Sequence, residues 1–363
     1  MSLIHQIALT LINNIGPVTA KQLLNAFGSP EAIFSARAEE LVALEGIGSL
    51  TASEILQTDA LTAAEKQLKW INKHHIRPLF YTDADYPQRL RNCYDAPILL
   101  YYKGTVDLNH PRIVSIVGTR KASPYGLMLC KDLAETLQHY DVLVISGLAY
   151  GIDVAAHQQS LLFHIPTVGV LAHGLDRLYP PTHRAIANQM LKDGGLLTEF
   201  PFHTNPDKEN FPKRNRIIAG LADVTVVVEA AEKGGALITA EIAGSYDRDV
   251  FAFPGRTTDV YSRGCNYLIK TNRAALINHP RDLAYYMGWE LTKPIPPILQ
   301  TEMPLGLAGP EASILNLLRS APLRIDTLCL QAGIQQSKLA VHLLNLEMKG
   351  VIRSLPGKVY ELV

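Results

Sequence analysis

Val144-Ile145-Ser146-Gly147-Leu148-Ala149-Tyr150-Gly151-Ile152-Asp153-Val154-Ala155-Ala156-His157 reads as a buried strand, a glycine-rich turn and the start of a helix. From Val142 to Ile145 the run is apolar and rich in β-branched residues, the pattern of a parallel strand covered on both faces. Gly147 and Gly151 permit a sharp turn and a close backbone approach to a ligand. The helix opening near Ile152-Asp153 offers unpaired N–H groups and the positive end of its dipole, which favour an anion. The expected ligand is a phosphate, belonging either to a dinucleotide or to a nucleic acid.

The same pattern recurs on both sides of this stretch. Further strand candidates are Arg112 to Val117, Thr167 to Leu171, Leu196 to Glu199, Val224 to Val228, Val250 to Phe253 and Ala275 to Ile277, with helical stretches between most of them. Such alternation predicts an α/β fold: an extended, Rossmann-like, doubly wound and mostly parallel sheet. Ligands of such sheets sit beyond the carboxyl ends of the strands, where strand order reverses.

Residues 1–75 read as a helical domain. Ile15-Gly16-Pro17-Val18-Thr19-Ala20-Lys21 and Ile47-Gly48-Ser49-Leu50-Thr51-Ala52-Ser53 each place an Ile-Gly turn before a new helix, which resembles a helix-hairpin-helix (SAM-like) repeat. In such hairpins the turn amides can hold a DNA phosphate. The second copy has no lysine beside its turn, which favours a packing role. The α/β core is expected over 76–289, a proline-rich linker over 290–306, and a winged helix of three helices and a hairpin over 307–363. The third helix of that unit, with Gln335, Gln336, Ser337 and Lys338 near its start, presents a thin basic face, suited to duplex or protein contact.

Charge and composition narrow the function. The 363 residues carry 34 Lys+Arg against 34 Asp+Glu, so an anion site must be local, not a global positive field. No apolar run reaches membrane-spanning length, and the opening residues lack a basic leader region, so a cytoplasmic protein is expected. The four cysteines, Cys93, Cys130, Cys265 and Cys329, are scattered without a CxxC, as reduced thiols would be. No metal is expected: the His74-His75 pair has no third ligand nearby.

The phosphate-binding candidates gather at strand ends. After the first core strand come Gly118, Thr119 and Arg120, a turn, a hydroxyl and a guanidinium able to fork onto a phosphate. Neither this turn nor the one from Gly147 through Ala149 to Gly151 is a GxGxxG, and no acidic residue follows the second strand to hold a ribose, so a nicotinamide cofactor is disfavoured. No cofactor is expected. Phe211-Pro212-Lys213-Arg214-Asn215-Arg216 packs three cations into four residues at a helix start, where they oppose the helix dipole unless an anion is present. On a helix Lys213 and Arg216 share a face. Phe211 is a candidate for stacking a base, Asn215 for reading one, and Thr239 lies one turn beyond the Gly234-Gly235 turn.

Val-Gly-Thr-Arg at 117–120, Ser-Gly-Leu-Ala-Tyr-Gly-Ile-Asp at 146–153, Tyr179-Pro180, Phe-Pro-Lys-Arg-Asn-Arg at 211–216, Gly-Ala-Leu-Ile-Thr-Ala at 235–240, Phe-Pro-Gly at 253–255 and Gly-Cys-Asn at 264–266 together resemble the DprA/Smf family. The resemblance implies a non-enzymatic single-stranded DNA binder that protects incoming strands in natural transformation, loads the recombinase RecA, and forms a homodimer through its core. It also implies that Gly118, Arg120, Ser146, Gly147 and Lys213 to Arg216 line the DNA groove. The family often places a lysine or other polar residue after Tyr-Pro, where this chain has Pro181-Thr182, and Arg184 is expected to stand in for it. An enzymatic alternative is a lysine-decarboxylase-like nucleotide phosphoribohydrolase, with Glu199 or Glu229 as base. Its Pro-Gly-Gly-x-Gly-Thr signature is missing, so these two glutamates are expected to hold basic residues of the groove. Asp153 is expected to serve its helix start and His157 to hydrogen-bond within the core.

Overall fold

The computed structural model describes residues 2–292, 309–319 and 321–362. Most of the expected linker, from 293 onward, lies outside the described residues. The chain divides into two compact units, Met1–Pro294 and Ile295–Val363. Among the described residues no helix is long and apolar enough to cross a membrane.

Six helices open the first unit: α1 (Leu3–Leu11), α2 (Pro17–Phe27), α3 (Pro30–Ser35), α4 (Ala38–Val42), α5 (Ser49–Gln57) and α6 (Ala60–Lys73). Both Ile-Gly turns do what their sequence suggested. Gly16 is the residue before α2 and Gly48 the residue before α5, each in extended backbone. Along α6, Ala60, Ala64, Gln67 and Ile71 are buried, a helical spacing that turns one face inward. The apolar cluster of these helices continues into Phe80, Leu99 and Tyr101 of the next two strands, so helices and sheet share a core.

Those strands are β1 (Arg77–Phe80) and β2 (Leu99–Gly104), separated by the short α7 (Gln88–Arg91). The alternating core follows: β3 (Ile113–Val117), α8 (Pro124–Leu137), β4 (Leu143–Ser146), α9 (Ile152–Leu162), β5 (Thr167–Val170), α10 (Arg184–Asp193), β6 (Gly195–Thr198), α11 (Asn210–Leu221), β7 (Val224–Val227), α12 (Gly235–Ser245), β8 (Asp249–Ala252), α13 (Arg263–Lys270), β9 (Ala275–Leu276) and α14 (Pro280–Tyr286). The sheet runs β1-β2-β6-β5-β4-β3-β7-β8-β9. All pairs from β6 across to β9 are parallel; β1 and β2 pair antiparallel with each other, as do β2 and β6.

Every residue of β3, β4, β5 and β7 is buried, as the β-branched runs require. Alternation divides them between two apolar layers: Ile113 and Val117 face one, Val114 and Ile116 the other. The strand order reverses at β3, which has β4 on one side and β7 on the other. The crevice beyond the carboxyl ends of these strands is therefore the fold's ligand position.

The second unit comprises α15 (Pro310–Leu318), β10 (Leu323–Arg324), α16 (Ile325–Ala332), α17 (Gln336–Met348), β11 (Ile352–Leu355) and β12 (Val359–Leu362). Three helices with a three-stranded antiparallel sheet ordered β10-β12-β11 make a winged helix. Gly333 ends α16 in the left-handed region, and Ile314, Leu328, Leu339, Leu343 and Leu346 fill the core.

Candidate nucleic-acid interface

At the reversal point, Gly118 to Arg120 leave β3 while Gly147 to Gly151 leave β4. The two turns touch. Thr119 O accepts the amide of Ile152 at 3.1 Å, and Thr119 N donates to Glu229 O at 2.8 Å. Gly151 sits at φ +78°, and a Cβ there would stand 2.2 Å from Thr119 O. A side chain is thus excluded both by backbone conformation and by space. The crevice encloses a cavity of about 320 Å³, lined among others by Gly118, Thr119, Arg120, Ala149, Asp153, Phe211, Asn215, Lys233, Gly234, Gly235 and Thr239. Lys233, absent from the site residues expected from sequence, is exposed and lines this cavity beside the start of α12. The signal was present, a lysine directly before a Gly-Gly helix start.

Arg120 is exposed. Its guanidinium lies over the Phe211 ring, 5.0 Å from the centroid, and among the described residues no salt bridge holds it. A cation backed by an aromatic face and open to solvent is positioned to meet a phosphate.

The cations of α11 do not all share that rim. Helical spacing divides them. Phe211, Arg214, Asn215 and Ile218 face the crevice, whereas Lys213 and Arg216 line a separate cavity against the N-terminal helices. Arg214 is only 3 % exposed, and one Nη donates to Gly147 O at 2.5 Å and Val170 O at 2.6 Å. It ties the ends of β4 and β5 to α11, a scaffold role in place of the expected groove cation. Beside it, against Gly147, lies Asp153, also buried. Burial pushes the Asp153 carboxyl up and the Arg214 guanidinium down to about 10, and each charge opposes the shift of the other. Gly147 is required here: a Cβ would stand 2.0 Å from Arg214 Nη1.

Arg216 is also committed. It pairs with Glu199 and donates to Asp95 O. Glu199 therefore does hold a basic residue. Glu229 does not: its carboxylate accepts the Ser123 amide at 2.9 Å and the Ser123 hydroxyl, fixing the start of α8. Lys213 is exposed at the mouth of the second cavity.

Other expected contacts are turned inward. Ser146 is fully buried and its hydroxyl donates to Ile116 O at 2.6 Å, so it shapes the strand end and cannot reach a strand of DNA. Thr239 and Asn215 line the crevice, where the Thr239 hydroxyl and the Asn215 amide each donate one hydrogen bond to Gly235 O, at 3.0 and 3.3 Å. Arg184 is exposed on a different cavity, with Lys103 and Arg177. Tyr179 N donates to His173 Nε2 at 3.1 Å while His173 Nδ1 donates to Gly174 O at 2.9 Å, which fixes the ring beside the crevice. His157 is fully buried. The Thr167 hydroxyl gives its proton to Val144 O at 3.0 Å, so His157 Nδ1 donates to that hydroxyl at 2.7 Å. Burial lowers its pKa to about 3. Asp153 and His157 are thus engaged separately and form no acid–base pair. Among the described residues no cluster of three His, Cys, Asp or Glu is placed to hold a metal.

Comparison with known proteins follows the same architecture. The family model described as DNA recombination-mediator protein A matches residues 77–288, a DprA winged-helix model matches 300–358, and a SAM-like helix-hairpin-helix tandem matches 7–58. The chain is 30% identical to protein Smf of Synechocystis over 98% of both chains, and 34% identical to protein Smf of Escherichia coli over 81% of this chain and 79% of that one. Among solved structures it is similar to DNA processing protein A of Streptococcus pneumoniae, with TM-score 0.68 and 30% identity over 79% of this chain and 98% of that one. It is also similar to DNA processing protein A of Helicobacter pylori, a structure described as giving insight into a single-stranded DNA binding mode, with TM-score 0.54 and 27% identity over 59% of this chain and 97% of that one. The chain belongs to the DNA recombination-mediator protein A family, that of the Smf and DprA proteins.

Proposed function

We propose that this chain binds single-stranded DNA along the carboxyl edge of its sheet and hands it to the recombinase RecA, acting as a homodimer through the α/β core and without catalysing a reaction. The observation that carries the DNA reading is Arg120: an exposed guanidinium over Phe211, at the mouth of a crevice walled by glycine turns and a helix start. Arg120, Lys233 and Lys213 supply charge to phosphates, and the amides of the Gly118–Thr119 and Gly234–Gly235 turns supply neutral donors. Phe211 offers a sequence-tolerant surface for a base. The zero formal net charge fits this design, since affinity then comes from a local track.

Transfer to RecA, dimerisation and a cytoplasmic setting rest on the family resemblance. The enzymatic rival is disfavoured by the site. Glu199 is paired with Arg216 and Glu229 with Ser123, so neither stands in the glycine-walled crevice as a free base. The test is a fluorescence-anisotropy titration with single- and double-stranded oligonucleotides, run beside a nucleotide-hydrolysis assay. Tighter binding of the single strand with no turnover supports the proposal; turnover without strand binding overturns it.

A further inference from the structure

A cavity that the crevice does not account for lies where α10 meets β2 and β6. Lys103 and Leu196 are cross-strand neighbours in that antiparallel pair, and both line it. Its volume is about 260 Å³. Arg184, Ala187, Asn188 and Leu191 recur at three- and four-residue spacing, so a single face of α10 forms another wall. The turn from Leu175 to Leu178 completes the lining, which shares no residue with the crevice.

Two properties of this lining point to an occupant. The first is charge. Lys103, Arg177 and Arg184 face one carboxylate, Asp176, which is already engaged. It accepts Arg177 Nε and Nη2 at 3.1 and 2.9 Å and the His203 amide at 2.9 Å. Lys103 and Arg184 have no salt bridge among the described residues, so positive charge is concentrated here in a chain of zero formal net charge. Arg184 also opens α10, where a cation opposes the helix dipole unless an anion stands nearby. The second property is an aliphatic surface. Leu175, Leu178 and Leu191 are only partly buried against the cluster of Leu171, Met190 and Leu196, and each lines the cavity. Among the described residues no aromatic side chain lines it, so a nucleobase has no stacking platform here, in contrast to Phe211 in the crevice.

We infer that this cavity docks an acidic peptide segment of a partner protein, with one aliphatic side chain on Leu178 and Leu191 and flanking carboxylates on Lys103 and Arg184. The planar guanidinium of Arg184 forks onto one carboxylate, and the Lys103 ammonium meets another as a point charge. The aliphatic side chain covers leucine surface that a phosphate chain would leave in water. Basic side chains around an apolar seat are a recurring means of reading an acidic motif. The site does not depend on the single-stranded DNA reading, which concerns the crevice.

Calorimetric titration of the full chain with three short peptides, acetylated and amidated at their ends, tests the inference. Asp-Asp-Leu-Asp-Asp is the probe; Asp-Asp-Ser-Asp-Asp lacks the aliphatic group, and Asn-Asn-Leu-Asn-Asn lacks the charge. The probe should bind, and each of the other two should bind roughly fivefold or more weakly. Lys103→Glu should weaken the probe by roughly fivefold or more, with oligo(dT) affinity unchanged. Arg184→Gln, at an exposed helix position, is the second variant and should also weaken the probe, so the test survives if Lys103→Glu fails to fold. Arg120→Glu should weaken oligo(dT) and leave the probe's affinity as it was. Protein saturated with oligo(dT) should take up the probe as the free protein does. No heat of binding up to about 1 mM probe overturns the inference, and so does equal binding of the serine peptide. Displacement of the probe by oligo(dT) also overturns it, and assigns the surface to the DNA track. If the unaltered chain binds the probe but no single strand, the DNA reading fails and the peptide site stands.

Discussion

Replacing Arg214 by methionine separates a scaffold cation from a DNA contact. The side chain is buried, and its Nη1 serves two carbonyls, Gly147 O and Val170 O. It is also the foremost favourable charge acting on buried Asp153. Methionine fills much of the volume but leaves both carbonyls without that donor and the carboxylate without compensation. A hydrogen bond from a charged donor is worth roughly 1.5–3 kcal/mol, and breaking a buried ionic arrangement by removing one partner costs about 3–5 kcal/mol. Because these overlap, the expected loss is about 3–5 kcal/mol, read as a fall in the urea midpoint at unchanged slope. Where the variant remains folded, the salt slope of oligo(dT) binding should equal that of the unaltered protein. A variant of unchanged stability whose salt slope falls would refute the reasoning and return Arg214 to the groove.

Two other outcomes follow from the same geometry. His157 is held neutral in the fold with a pKa near 3, below the ordinary 6.5. A depressed folded pKa gives stability that is full above pH 6.5 and is lost as pH falls toward 3. Urea titrations between pH 6 and 4.5 should show this one group removing about 1.4 kcal/mol per pH unit, and His157→Gln should flatten the profile by that amount. Lys213→Ala removes one exposed phosphate partner and should lower the single-strand salt slope by about 0.7 with the thermal midpoint unchanged; an unaltered slope removes Lys213 from the track.

Much of the core was legible because parallel strands buried on both faces leave unbroken β-branched runs, as in Val224 to Val227. β1 and β2 escaped notice for the opposite reason. They lie toward the antiparallel side of the sheet, β1 contains Pro78, and β2 is rich in tyrosine, so neither carries the pattern of a central strand. Helical spacing correctly placed Lys213 with Arg216 on α11. It could not say which face of that helix would be buried. That depends on Gly147 O and Val170 O, contributed 67 and 44 residues earlier in the chain, and on Glu199 across the sheet. The inward turn of Ser146 was likewise invisible, because a serine at a strand end reads the same whether its hydroxyl meets solvent or a neighbouring carbonyl.

The most direct test of the central claim is oligo(dT) anisotropy with Arg120→Glu. The side chain is exposed and bears on Phe211 without a salt bridge, so the fold should keep its thermal midpoint. Losing one charge-assisted phosphate contact and adding a repulsive carboxylate should weaken binding by at least about tenfold. Affinity equal to that of the unaltered protein would contradict the account.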